Sequence, residues 1–456
     1  MKVLIAGGGI GGLSLGLSLH AAGIVDVEVL EAALSIEELG VGINVLPHAV
    51  RELTELGLGE ELSSAGLATG EFVMFNKHGQ RIWGEPRGLA AGYRWPQYSI
   101  HRGRLLGVLH RAFVDRLGER RLHTDHRVVH ATQDDSSVSV HLASGAQVVG
   151  DVLVGADGIH SAIRAQLCPG EGAPLWNGIT MWRALAEAAP CLTGSSMVII
   201  GHFGKRAVVY PITAPAHDGR ALINVVLEAK TADGRPIPRQ DWTYTVDRDE
   251  IRALFETMRF DWLDVAELIE TAPQWWQYPM VDRDPLPAWR SGRITLLGDA
   301  AHPMYPVGAN GASQAILDAR TLARTLAVWP TVEAALEEYE STRRRATAAI
   351  VVAKSRRRRG EVHGTCRTTC PERLRPRRGR VRTRRARRTL NSLQTHGRLR
   401  PRHPERATLP QHPSAASPKY LVVRRGRGGG GRGCAFGREQ PAGGDSSTIH
   451  IPQTYH

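Results

Sequence analysis

The sequence predicts an α/β fold, a Rossmann-like nucleotide-binding domain of the glutathione-reductase type interrupted by a mostly antiparallel β-sheet. Three observations carry this expectation. The apolar run Val3–Ala6 leads into Gly7, Gly9 and Gly12 and then into helical apolar spacing over 13–22. Two later runs, 151–158 and 293–299, each read as a buried strand ending in an acid beside a glycine, Asp157-Gly158 and Gly298-Asp299. Between them the chain turns strand-rich, with apolar runs at 197–200, 207–212 and 221–227 separated by loops rich in Gly, Lys, Pro, His and Asp.

In the first unit Gly7 permits the tight turn, Gly9 lets the backbone approach a pyrophosphate, and Gly12 lets helix and strand pack closely. The anion then sits on the helix N-terminus. The strand Val27–Leu30 ends at Glu31, where a carboxylate would accept ribose hydroxyls. Lys2 before an apolar stretch could also pass for a signal peptide, but the regular glycines and the placement of Glu31 favour the nucleotide reading. Helical spacing recurs at 47–62 and 104–117, and alternation at 123–131 and 138–142 predicts antiparallel strands joined near Ser144-Gly145. After Asp299 the chain runs through Pro306, Gly308, Asn310 and Gly311 into helices over 313–328 and 331–354. The expected division is 1–172 and 286–354 for the two parts of the nucleotide domain, 173–285 for the inserted sheet, and 355–456 for a basic tail.

The three motifs in this order read as one FAD site. A helix starting near Asn310-Gly311 would aim unsatisfied N–H groups and a partial positive charge at a reduced, anionic flavin. Pro306, Gly308 and Gly311 would keep that backbone clear where a flat ring must approach. The sheet would roof a substrate cavity, for which Trp182, His202, Phe203, Tyr210 and Asn224 are candidate lining residues, with His302 and Tyr305 nearer the flavin loop. A second strand-glycine-helix unit is not expected: Gly426, Gly428 and Gly431 fit formally but lie in low-complexity sequence with no helix after them.

Composition excludes several classes. No apolar stretch reaches the roughly 18 residues needed to span a bilayer, and Cys168, Cys191, Cys366, Cys370 and Cys434 show no CxxC spacing. Neither a disulfide framework nor a metal site is therefore indicated, a cytoplasmic setting is expected, and a disulfide-reductase type of flavoprotein is disfavoured. The net charge of +13 is misleading, because 355–456 holds 25 Arg or Lys against five Asp or Glu and the rest is mildly acidic. This tail offers little periodic apolar sequence to bury and is expected to be disordered. It reads either as an Arg/Gly arm for nucleic acid or, preferably, as a G/C-rich coding sequence read out of frame, since alanine codons shifted by one base give Arg and Pro codons.

On the three motifs, together with 40–47 and 99–103, the chain resembles the class A FAD-dependent aromatic monooxygenases, the salicylate-hydroxylase-like flavoproteins. Within them it is most similar to the phenazine-carboxylate monooxygenase branch. The resemblance spans 1–354 and implies that Gly7, Gly9, Gly12 and Glu31 hold the adenosine diphosphate and that Arg102 lies along the pyrophosphate and ribityl chain. It further implies that Asp157 and Gly158 serve both FAD and a passing nicotinamide, near Arg164, that Asp299 bonds the ribityl hydroxyls, and that 306–311 runs beside the isoalloxazine. The implied reaction consumes NADH or NADPH and O2 and inserts one oxygen atom into a small aromatic substrate by way of a flavin C4a-hydroperoxide. No catalytic acid or base is named. Epoxidation, decarboxylative hydroxylation and oxidase chemistry stay open, as does a monomer or homodimer.

Overall fold

The computed structural model describes residues 1–38, 40–202, 204–231 and 244–355. The basic segment from residue 356, with both readings of it, and Phe203 lie outside the described residues.

The chain opens with β1 (Val3–Ala6), α1 (Ile10–Ala21), β2 (Val27–Leu30), β3 (Gly42–Val45), α2 (Pro47–Glu55), α3 (Gly59–Ala65) and β4 (Gly66–Ala68). The hairpin β5 (Glu71–Phe75) and β6 (Arg81–Pro86) follows, then β7 (Tyr98–His101), α4 (Arg102–Leu117), β8 (Leu122–His123) and β9 (Val128–Gln133). Next come β10 (Val138–Leu142), β11 (Gln147–Gly150), β12 (Val152–Gly155) and α5 (Ala162–Leu167). The long strands β13 (Leu175–Ala188), β14 (Ser196–His202), β15 (Lys205–Pro211) and β16 (Ala221–Lys230) lead to β17 (Thr245–Val246), α6 (Arg248–Phe255), β18 (Arg259–Phe260) and β19 (Leu263–Asp264). The described chain closes with α7 (Val265–Thr271), β20 (Trp275–Asp282), β21 (Arg290–Ser291), β22 (Ile294–Leu296), α8 (Gly311–Val328) and α9 (Val332–Ser355).

A six-stranded sheet runs in the order β21-β22-β12-β1-β2-β8 and is parallel except at β21. Its central strand β1 is Val-Leu-Ile-Ala, apolar throughout because it is buried at every position. Against it, α1 packs between α4 and α8, so Leu13, Leu15, Leu17 and Leu19 are all fully buried. Gly16 is required by that packing, since a Cβ there would lie 2.4 Å from the Phe113 ring. The helix expected over 47–62 divides into α2 and α3 because Gly57 takes φ +76.

The second sheet has eight strands in the order β17-β20-β13-β16-β15-β14-β5-β6. It is antiparallel except where β14 pairs parallel with β5. That pairing brings 71–86 into a sheet otherwise built from later sequence. Alternation along β13 sends Trp182, Ala184 and Ala186 into an apolar core closed by α6 and α7, and Ile179 and Met181 into a second cluster with Tyr210, Tyr278, Met280 and Tyr305. The second face looks toward the loop that follows Asp299.

Candidate active site

The first glycine loop is shaped to receive an anion. Gly7 has φ +108, and a Cβ there would sit 2.5 Å from the Ala156 carbonyl oxygen; a Cβ on Gly12 would lie 1.9 Å from the Gly7 carbonyl oxygen. Gly9 caps α1 without a side-chain hydrogen bond and has open space at its Cβ position, so the first N–H groups of the helix face a free cleft. Glu31 accepts from Gly8 N at 2.6 Å and Ala33 N at 2.8 Å, which fixes its carboxylate beside the loop. These features fit a dinucleotide pyrophosphate and ribose. Arg102, the first residue of α4, feels Asp299; burial lowers its pKa while Asp299 and Glu31 oppose that shift.

The two acid-glycine loops use their carboxylates differently. Asp157 accepts from Ser161 Oγ at 2.5 Å, Ala162 N at 2.8 Å and Ile163 N at 3.4 Å, binding up the start of α5. Burial raises its pKa, and these hydrogen bonds work against the rise. Arg164 is engaged as well: it pairs with Glu171 at 2.5 Å and donates to the carbonyls of Ala300, Ala301 and Asp284. Asp299, by contrast, accepts no hydrogen bond from the described residues. Its carboxylate is open to the cleft yet enclosed on its flanks, and that desolvation raises its pKa against the pull of His302, Arg102 and Lys354. A Cβ on Gly311 would stand 3.9 Å from Asp299 Oδ1, so the N-terminus of α8 and this carboxylate share one space.

The segment between them is held from behind. His302 Nε2 lies 2.5 Å from Asp318 Oδ2, which also accepts from Gly298 N at 3.1 Å. Arg343 Nε donates to Asp318 Oδ1 at 2.6 Å and its Nη2 to Gln314 Oε1 at 2.7 Å. Burial alone would raise the pKa of Asp318, but Arg343 and His302 hold it below the ordinary carboxylate value. In front, Gly308 has φ +75 and Ala309, with a side chain, φ +55. The Ala309 conformation costs on the order of 1–2 kcal/mol. Asn310 donates to the Gly308 carbonyl at 2.9 Å and leaves the first N–H groups of α8 uncapped by any side chain.

Three residues from three strands of the large sheet converge on Gly42. Asn224 Oδ1 accepts from Gly42 N at 2.7 Å, while Tyr210 Oη at 2.8 Å and Arg183 Nη2 at 2.7 Å donate to its carbonyl. Burial pushes the Tyr210 phenol up to about 12, so it remains a donor. Arg183 Nε and Asn224 Nδ2 are buried with no partner among the described residues.

Of the substrate candidates, Tyr210, Asn224 and Tyr305 therefore lie on or against the cleft-side face. Trp182 does not: β13 turns it to the other face, where it packs on Phe255 and donates to Gln277 at 2.9 Å. His202 ends β14 at an exposed hairpin beside Gly204, and the His302 ring is turned to Asp318 and Trp289 rather than to the sheet. Arg183 was missed, although a lone arginine in the run 179–188 was the available signal.

A family model described as FAD binding domain matches residues 1–354. Phenazine 1,6-dicarboxylic acid hydroxylase PhzS of Lysobacter antibioticus is 46% identical over 359 residues, covering 77% of this chain and 88% of that protein. The chain belongs to the class A FAD-dependent aromatic monooxygenases. Salicylate hydroxylase of Pseudomonas putida is 30% identical to this monooxygenase over 353 residues, covering 72% of this chain and 76% of that one. Klebsiella pneumoniae HpxO, solved with FAD and uric acid, superposes with a TM-score of 0.66 at 26% identity over 81% of the monooxygenase chain and 90% of its own. Among the described residues no helix is long and apolar enough to cross a membrane, and no cluster of three metal-ligating side chains occurs.

Proposed function

We propose that this monooxygenase hydroxylates a flat aromatic acid, a phenazine-type carboxylate in particular. The observation that carries the reading is the cleft-side face of the large sheet, where Met181, Tyr278, Met280 and Tyr305 supply apolar surface and Arg183 Nε and Asn224 Nδ2 supply two donors in want of an acceptor. A carboxylate on the ring answers both. The similarity to a hydroxylase of a phenazine dicarboxylic acid points the same way.

FAD held in this cleft would supply the redox chemistry, accepting hydride from NADH or NADPH and activating O2 for oxygen transfer to the aromatic ring. The protein's part is placement and field. Gly7, Gly9, Gly12 and Glu31 would receive the adenosine diphosphate, and Arg102 and Asp299 would hold the ribityl end. Pro306, Gly308, Asn310 and Gly311 would run beside the ring, where the uncapped N–H groups at the start of α8 would favour negative charge. Gly158, at φ +78 beside Asp157, turns the chain between the cofactor and the surface. Tyr210, Asn224 and Arg183 hold the Gly42 backbone and so fix the edge of the cavity. We divide the chain at 172 and 285, with 71–86 lent to the substrate sheet, place it in the cytoplasm, where Cys168 and Cys191 stay reduced, and leave it a monomer or homodimer.

The test is NAD(P)H oxidation and product analysis over a panel of phenazine and benzene carboxylates. A stimulated rate with a product one oxygen atom heavier is expected, and Arg183→Met should raise KM for acids more than for their neutral amides. Fast oxidation indifferent to every aromatic, with no oxygenated product, would overturn the reading.

A further inference from the structure

Helix α9 lays one polar stripe along the back of the flavin loop. Tyr339 Oη donates to the Leu296 carbonyl at 3.0 Å, at the end of the strand before Gly298. One turn on, Arg343 holds Asp318, which in turn holds Gly298 and His302. Eleven residues further, Lys354 Nζ donates to the Tyr305 carbonyl at 3.1 Å, and Ser355 Oγ to Asp282 at 2.5 Å. From Tyr339 to Lys354 the helix spans roughly 22 Å at about 1.5 Å per residue. It therefore reaches three successive points of the segment that starts at Leu296 and ends where 306–311 begins.

Lys354 is the unusual member of the stripe. Its side chain is 1% exposed, in a class of residue that is almost never fully buried without a reason. The Lys354 charge acts on Asp299 in the cleft.

We infer that Lys354 is a positioning residue for the flavin: its ammonium holds the Tyr305 carbonyl, thereby setting the backbone of 306–311, and adds positive charge behind the ring-binding end of the cleft. The inference rests on the placement of 306–311 beside the isoalloxazine. It is independent of which aromatic is hydroxylated.

The experiment uses the full chain with FAD and compares Lys354→Met, Lys354→Arg and Tyr339→Phe, each checked for folding by circular dichroism and thermal melting. Sulfite titration reads the field, because sulfite adds through its lone pair to the oxidised ring and leaves a negative charge on it. Lys354→Met should weaken sulfite binding roughly tenfold, as expected for loss of one charge in a partly buried site, and should release FAD more readily. Lys354→Arg should restore sulfite binding to within about threefold. Tyr339→Phe, which loosens the helix without removing charge, should lower the melting temperature and leave sulfite binding unchanged. Equal losses in all three variants, or unchanged sulfite affinity and FAD retention in a folded Lys354→Met protein, would overturn the inference. Because this readout needs no substrate, its failure is distinct from a failure of the aromatic-acid reading.

Discussion

The loops at Asp157 and Asp299 begin from nearly the same sequence, a buried strand that stops at an acid beside a glycine, and they end in opposite conditions. Asp157 spends its oxygens on Ser161, Ala162 and Ile163 and so stabilises the protein. Asp299 spends none on the described residues and is open to the cleft; enclosure on its flanks raises its pKa, as burial does for Asp157. An acceptor carboxylate that no side chain or backbone N–H has claimed is available to a ligand's hydroxyls. A shared motif thus marks a turn, and the hydrogen-bond inventory separates the turn closed on its own helix from the one left open to the cleft.

The largest effect is expected at Asp318, which holds the open loop in place. Asp318→Asn leaves Arg343 buried without its counter-charge and should cost about 3–5 kcal/mol of stability, measured by urea unfolding. Next, Asp299→Ala should weaken FAD binding by about 1.5–3 kcal/mol, the worth of hydrogen bonds to a charged group, while the FAD-free protein melts no earlier than wild type. Calorimetry and flavin fluorescence separate the two quantities. If the FAD-free variant melts well below wild type, Asp299 is a structural residue like Asp157 and the contrast fails.

Asp157→Ala should do the reverse, costing about 0.5–2 kcal/mol of stability as helix-start partners are lost and changing FAD affinity less than Asp299→Ala. A larger loss of FAD than of stability would give Asp157 the cofactor role implied by family resemblance. The smallest effect is in pH. Asp299, with its pKa raised in the folded state, favours the folded form while protonated and withdraws that support as pH rises through its folded pKa. Asp318, with its pKa lowered, contributes above its unfolded pKa and loses that contribution as pH falls through the folded one. In the FAD-free protein, Asp299→Asn should therefore flatten the stability lost on going from acid toward neutral pH, and Asp318→Asn the stability lost on going into acid.

The sheet, the glycine cradle and the helices after residue 310 were legible because each has a local period or a residue with one physical use. β1 is apolar at every position, and Gly12 admits no Cβ. What stayed hidden depended on contacts remote in sequence. The parallel pairing of β5 with β14 joins segments more than a hundred residues apart, and no local pattern records it. Trp182 reads from sequence as a candidate cavity residue, yet the face it takes is set by one step of register along β13. Arg183, its neighbour, takes the cleft side for the same reason. Nothing local in sequence sets Lys354 apart from other lysines at helix ends, and only the return of α9 to Tyr305 does so.

That single step of register also governs how this enzyme can change. Along β13 the residues that would meet a substrate and those that hold the sheet to α6 and α7 are interleaved one by one, Met181 and Arg183 on one side, Trp182 and Ala184 on the other. Selection for a new aromatic can therefore act on every second position while the intervening ones stay fixed. Mutational tolerance scanned along 179–186 under selection for folding alone should rise and fall with a period of two, so that substrate range drifts without eroding the scaffold that carries it.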